Sequence, residues 1–323
     1  MDYKLAPNIS RKGLLLGVST AVAVLALVGI FVSDITVAIT APFYAVLLLL
    51  DKGERRFWTI FIPACAVALD VIFNGMLATS AIQFTVAGVI IAVAVRNKYR
   101  KSSLSAILTA MFSAFIVINL ILYAFSTTGV YTLGSALEFY LSLYEDLKSE
   151  AVKYIMNVAA VSYGGMQITA EAVEAAIAST ASLIIAFIVI IGFLMSGVAI
   201  KCFTAFSVQI IEDEASIRKW HFTTGSIFAY AYAVSALLNI FVTGSSVIAV
   251  AIANFYLIFM MPYTYIGFKL VRGYLIVSDR RLLILLVAAA AVIIFGIYAL
   301  VPLSLFGVYA VIVTNRYNAK DSD

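Results

Sequence analysis

Residues 57–101 read FWTIFIPACAVALDVIFNGMLATSAIQFTVAGVIIAVAVRNKYRK, and this stretch decides the fold. Two apolar runs, 57–75 and 79–95, meet at a link from Asn74 to Ser80 that holds no Lys or Arg. Lys52, Arg55 and Arg56 precede the first run, and Arg96, Lys98, Arg100 and Lys101 close the second. A helix needs ~20 residues to cross ~30 Å of hydrocarbon, so each run matches one crossing. Basic flanks with an uncharged turn mark a helical hairpin that enters and leaves a bilayer from its cytoplasmic side.

The pattern repeats along the chain. Apolar runs fall at 13–32, 35–50, 57–75, 79–95, 104–125, 182–206, 222–242, 247–270, 282–298 and 301–314. Composition agrees, with 64% hydrophobic and 12% charged residues, where soluble domains hold ~45–50% and ~25%. Too few polar residues exist to coat a soluble core, so lipid must be the solvent. The expected fold is an all-α, polytopic membrane bundle of about ten transmembrane helices. The run after Arg11 and Lys12 is too long for a signal-peptide core and lacks a clear small-residue cleavage site, so it reads as the first helix.

Charge assigns the sides. The basic loops are Lys52/Arg55/Arg56, Arg96/Lys98/Arg100/Lys101, Arg218/Lys219 and Lys269/Arg272/Arg280/Arg281. The alternate links, Ser33–Asp34, Asn74–Ser80, Thr243–Ser246 and the one near Val301, carry no Lys or Arg. This alternation predicts a multi-pass protein of the cytoplasmic membrane with both termini, including Arg316 and Lys320, inside.

Between Ser126 and Ala181 the chain is too long for a turn and too polar to span. Leu137, Tyr140, Tyr144, Leu147, Ala151, Tyr154 and Val158 draw an apolar stripe at helical spacing. Gly164–Gly165 breaks the chain, and Thr169 is an N-cap candidate ahead of Glu171 and Glu174. This predicts an extracytoplasmic amphipathic hairpin that serves as a spacer or as a gate. The expected organisation is residues 1–125 as an N-terminal five-helix half, 126–181 as the hairpin and 182–323 as a C-terminal five-helix half.

Asp70 is the one carboxyl group well inside an apolar run, about 20 Å from the inner edge at 1.5 Å per residue. Such an acid generally faces a cavity or a partner, and Asn74 follows one turn later. Asn119, Asn239, Asn254 and Gln83 also land in the outer third of their helices, while the inner half is almost wholly apolar. Two readings stand. The amides bond backbone and one another across the bundle, or they converge on an outward pocket with Asp70, Asn74, Asn119, Asn239 and Asn254 as its solute contacts. Gly13, Gly17 and Ala21 form a small-residue face at the start of the first helix, where another helix of this chain or of a partner can approach.

No catalytic residue, metal ligand set or cofactor motif is found. His221 is the lone histidine and sits beside Trp220 at a membrane boundary; P-loop, GxSxG, HExxH and Rossmann patterns are missing. Cys65 and Cys202 form no metal or redox motif. The pI of 8.9 arises from scattered basic loops, so no nucleic-acid surface follows.

Several stretches resemble the uncharacterised YybS-like family of bacterial membrane proteins. They are Ala41-Pro42-Phe43 leading to the Asp51–Arg56 turn, Gly192–Lys201 followed by Arg218-Lys219-Trp220, NFYLIFMMPYTYIG at 254–267, and Phe306-Gly307-Val308 before Arg316. A proline expected shortly after Trp220 is missing, and Ala310 stands where an Asp is expected. The N-terminal half of that family is similar to the substrate-capture subunits of energy-coupling-factor vitamin transporters. The resemblance implies an outward pocket for a small-molecule solute, and docking through the first helix on a transmembrane coupling subunit with ATPases. Fold does not fix function, and the helices beyond the first half exceed what such a subunit needs. The leading expectation is therefore a non-enzymatic solute-binding or transport subunit energised by partners. The alternative is a membrane scaffold of an envelope or sporulation assembly.

Overall fold

The computed structural model describes residues 11–32, 34–50, 56–162, 169–210, 225–242, 246–277 and 300–320. These residues are all-α, with no strand among them. The helices are α1 (Arg11–Val32), α2 (Asp34–Leu50), α3 (Arg56–Asn74), α4 (Ser80–Arg96), α5 (Lys101–Thr128) and α6 (Leu133–Ser162). They continue with α7 (Ala170–Ala181), α8 (Ile184–Ile210), α9 (Ser226–Phe241), α10 (Val247–Val277) and α11 (Leu300–Lys320).

Three of them are long and apolar enough to cross a membrane: Lys101–Thr128, Ile184–Ser207 and Val247–Gly273. This corrects the expectation of ten. Six further helices, α1–α4, α9 and α11, are apolar over shorter stretches. The run at 282–298 lies outside the described residues.

The chain divides into two compact units, residues 1–177 with 191–221, and 178–190 with 222–323. In the first, α2 is the hub. Ala41, Ala45 and Val46 have no exposed surface, because small residues on α2 and α4 bring the two axes together. A Cβ at Gly88 would meet Tyr44 Cδ1 at 2.6 Å and Ala41 O at 3.0 Å. Pro63 sits inside α3 and cannot donate to the carbonyl four residues back. The buried Tyr44 hydroxyl donates to that carbonyl, Thr59 O, at 2.9 Å. A helix break is thus repaired from the neighbouring helix, as hydrocarbon surroundings require.

The first five helices alternate in direction. The α1–α2 turn brings Gly29 against Thr36, and the second half of α2 meets the start of α3 through Tyr44 and Thr59. Arg96 at the end of α4 donates to Leu48 O near the end of α2 at 2.9 Å. Asn119, late in α5, meets Thr79 just ahead of α4. α1, α3 and α5 therefore start at the end of the unit where α2 and α4 finish. The 191–210 part of α8 packs against α5 through small and hydroxyl residues. A Cβ at Gly192 would meet Thr109 O at 2.8 Å, and the buried Ser105 and Ser196 hydroxyls lie 3.2 Å apart.

α5 ends at Gly129, whose φ of +70° is the left-handed conformation glycine adopts at helix C-termini. α6 then turns back, and Tyr140 donates to Leu120 O at 2.7 Å. Thr169 caps α7 as expected, accepting from Ala172 N at 3.2 Å. The Gly164–Gly165 break lies outside the described residues. Lys148 of α6 pairs with Glu145 at 3.5 Å and with Glu174 of α7 at 3.7 Å. In this exposed setting Glu145, and to a lesser extent Glu174, hold the Lys148 pKa above the usual lysine value.

The second unit is built on the crossing of α10 and α11. A Cβ at Gly267 would collide with Leu303 O, and one at Gly307 with Tyr263 O. Only glycine allows backbones this close. Beside the crossing, the fully buried Tyr232 of α9 stacks on Tyr256 and Tyr263. Its hydroxyl lies 2.7 Å from Ser304 Oγ.

Candidate functional site

α3 ends at Asn74, and a 3-10 turn at Gly75–Leu77 leads into α4. Gly75 takes φ +57°, which reverses the chain in few residues. The first turn of α4 starts with backbone N–H groups that need acceptors. Thr79 occupies the N-cap position but makes no cap with its side chain; its hydroxyl donates to Asn119 Oδ1 on α5. Asp70 supplies the acceptor. Its side chain is fully buried, with Oδ2 accepting from Ala81 N at 3.0 Å and Oδ1 accepting from Asn74 Nδ2 at 2.7 Å.

Asp70, Asn74 and Asn119 are thus brought to one end of the first unit. Asp70 with Asn74, and Asn119 with Thr79, are bonded to one another or to backbone. Of the five candidate contacts, Asn239 and Asn254 belong to the second unit. Asn254 Oδ1 accepts from Ala186 N at 2.9 Å, and its Nδ2 donates to Ser182 O and Val250 O at 2.9 Å each. It fastens the start of α8. Asn239 is half-buried on α9.

Gln83 stands apart from this bonding. It lies in the first turn of α4, is 1% exposed, and both its side-chain oxygen and nitrogen lack a hydrogen-bond partner among the described residues. A buried amide left so costs about 1–3 kcal/mol per unmet group. Sequence reasoning ranks it with the other outer-third amides, because one Gln near a helix start has no distinguishing signal. Thr79 gives even less, since a hydroxyl ahead of a helix reads as an ordinary cap.

At the start of α1, Gly13 and Gly17 are exposed and Ala21 is half-buried. Nothing lies within 4 Å of a Cβ built at Gly17, so this stretch of α1 is open in the chain. A cavity of about 340 Å³ runs between α1 and α3, and none of the candidate polar contacts lines it. No group of three or more His, Cys, Asp or Glu is placed to hold a metal ion among the described residues. No family model, no curated protein and no solved structure matches this chain.

Proposed function

We propose that the chain is a multi-pass protein of the cytoplasmic membrane, with both termini inside, that captures a small polar solute. It has no catalytic role of its own and works with a coupling subunit and ATPases, as the YybS-like resemblance implies. The helix directions of the first unit support the topology, because Arg11, Arg56, Arg96 and Lys101 all fall at the same end of alternating helices. The observation that carries solute capture is Gln83, a buried amide with two groups unmet among the described residues, in the turn that Asp70 caps. In this reading the polar end is a closed site, and Gln83 is the group a solute satisfies when α4 yields.

The test is mass spectrometry of small molecules retained by protein purified in gentle detergent, for the parent and for Gln83→Leu. Solute lost from a well-folded Gln83→Leu supports capture, and solute retained there sinks it.

A scaffold of an envelope or sporulation assembly is the second reading. It is favoured by the open Gly13/Gly17 stretch and by the exposed apolar stripe of α6, where Leu137 is 62% and Tyr154 71% exposed. Stoichiometric recovery of assembly proteins with no retained solute would establish it.

A further inference from the structure

We propose that α6 lies flat in the outer interface of the membrane, with Leu133, Leu137, Leu141, Leu147 and Tyr154 set among the lipid acyl chains. The proposal rests on α5 being a membrane span and is independent of solute capture.

The packing of α6 on α5 sets its level. Counted from Leu104, ~20 residues cross the hydrocarbon, which brings α5 to the outer boundary near Ala124. The rings of Tyr131 and Phe125 lie 5.9 Å apart, and those of Phe139 and Tyr123 6.1 Å apart. Tyr140 donates to Leu120 O at 2.7 Å. The start of α6 therefore returns along the outer end of a helix apolar enough to span. Tyr123, Tyr131 and Tyr140 all stand at this level, and tyrosine gathers where a membrane meets water.

The side chains of α6 then fix how it lies. At about 100° per residue, its five apolar residues fall within an arc of about 140°, and all five are exposed. Glu138, Ser142, Glu145, Asp146, Glu150 and Lys153 occupy an arc of about 140° on the other side. Lys148 is the one charge on the apolar side, and it is drawn to Glu145 and to Glu174 of α7. The charged side keeps α6 out of the hydrocarbon. A helix divided in this way lies in the interface with its apolar side ~5–10 Å deep.

Lipid covers this face in preference to a protein partner because the surface beside it already belongs to lipid. The outer part of α5 exposes Val117, Ile118 and Tyr123, which meet acyl chains in a spanning helix, and the stripe of α6 starts at the same level. α6 carries four acids and two lysines, so apolar burial holds it and no anionic headgroup is required.

The chain contains two tryptophans, and Trp58→Phe with Trp220→Phe gives a background for single reporters. Leu137→Trp reports the apolar side of α6, Ser142→Trp the other side about 10 Å across the helix, and Ala114→Trp the middle of α5. Each protein is reconstituted in phosphatidylcholine vesicles brominated either high on the acyl chains or near their ends. Leu137→Trp should lose most of its emission to the shallow bromines. Ser142→Trp should keep most of its emission there and be quenched by aqueous acrylamide, and Ala114→Trp should be quenched most by the deep bromines. Leu141→Trp repeats the Leu137 measurement should that variant not fold. With Ala114→Trp quenched as expected, an apolar-side reporter quenched by acrylamide and by neither lipid overturns the proposal and leaves the stripe to a protein partner. Strongest quenching of that reporter by the deep bromines also overturns it, because α6 would then enter the hydrocarbon. Ala114→Trp quenched by neither lipid overturns the span reading of α5 and the proposal with it.

Discussion

Replacing Asp70 separates a cap from a ligand. In Asp70→Ala two donors lose their acceptor at once, Ala81 N on the first turn of α4 and Asn74 Nδ2. Each buried donor without a partner costs about 1–3 kcal/mol, so the variant should lose about 2–5 kcal/mol. Asp70→Asn keeps one oxygen for Ala81 N and places an NH2 where the other oxygen was. Turning the Asn74 amide over lets its oxygen accept from that group, so the loss should be only about 0.5–1.5 kcal/mol, near the net worth of one hydrogen bond. Equilibrium unfolding in mixed micelles measures both. Hydrogen exchange should show the α4 amides from Ala81 onward opening faster in Asp70→Ala than in Asp70→Asn. The capping argument is refuted if Asp70→Ala is as stable as the parent. It is equally refuted if Asp70→Asn folds normally but retains no solute, because the carboxyl would then be a contact and not a cap.

The remaining predictions each probe one contact. Gly307→Ala should cost at least ~3 kcal/mol, because the new methyl meets the Tyr263 carbonyl, which belongs to a helix backbone and cannot turn away; unfolding in mixed micelles checks it, and a neutral outcome would mean α10 and α11 do not cross here. Tyr44→Phe should cost about 1–2 kcal/mol by removing the hydroxyl that donates to Thr59 O. Adding Pro63→Ala restores a helical donor for that carbonyl, so a double-mutant cycle should show the second change offsetting the first. Gln83→Leu should raise the unfolding free energy by about 1–3 kcal/mol, since two unmet groups are replaced by hydrocarbon of similar size. Lys148→Met should speed hydrogen exchange at the start of α7, most visibly at low salt. A raised lysine pKa means the tie is complete below the usual lysine value and is lost only as pH climbs through the higher folded value. The exchange difference between parent and variant should therefore stay level across neutral pH on the lysine side.

Much of the fold was legible because apolar runs and their punctuation act locally. The α2–α5 boundaries follow the runs, and the Thr169 cap follows from the hydroxyl and two acids that open α7. What escaped reading depends on contacts between segments. Asp70 reads as a costly intramembrane acid in search of a solute, but a helix start eleven residues on meets its needs, and no spacing rule announces that. Pro63 reads as a break. Its repair by Tyr44, fifteen residues before Thr59, appears only once α2 and α3 lie side by side.

The leaflet asymmetry noted in the sequence has a backbone origin. Buried helix starts expose N–H groups, and two of them draw an acceptor from a neighbouring element. Asp70 of α3 serves Ala81 on α4, and Asn254 of α10 serves Ala186 on α8. Where the preceding link is exposed, a local hydroxyl suffices, as Thr132 does for α6 and Ser246 for α10. Asp70 and Asn254 therefore serve helix starts. Asn74 bonds the capping carboxylate of Asp70, and Asn119 takes the hydroxyl of Thr79. Capping does not cover Gln83, whose side chain serves no N–H and meets no carbonyl among the described residues. A residue that the capping account leaves unexplained, at 1% exposure, is where a role beyond architecture should first be sought.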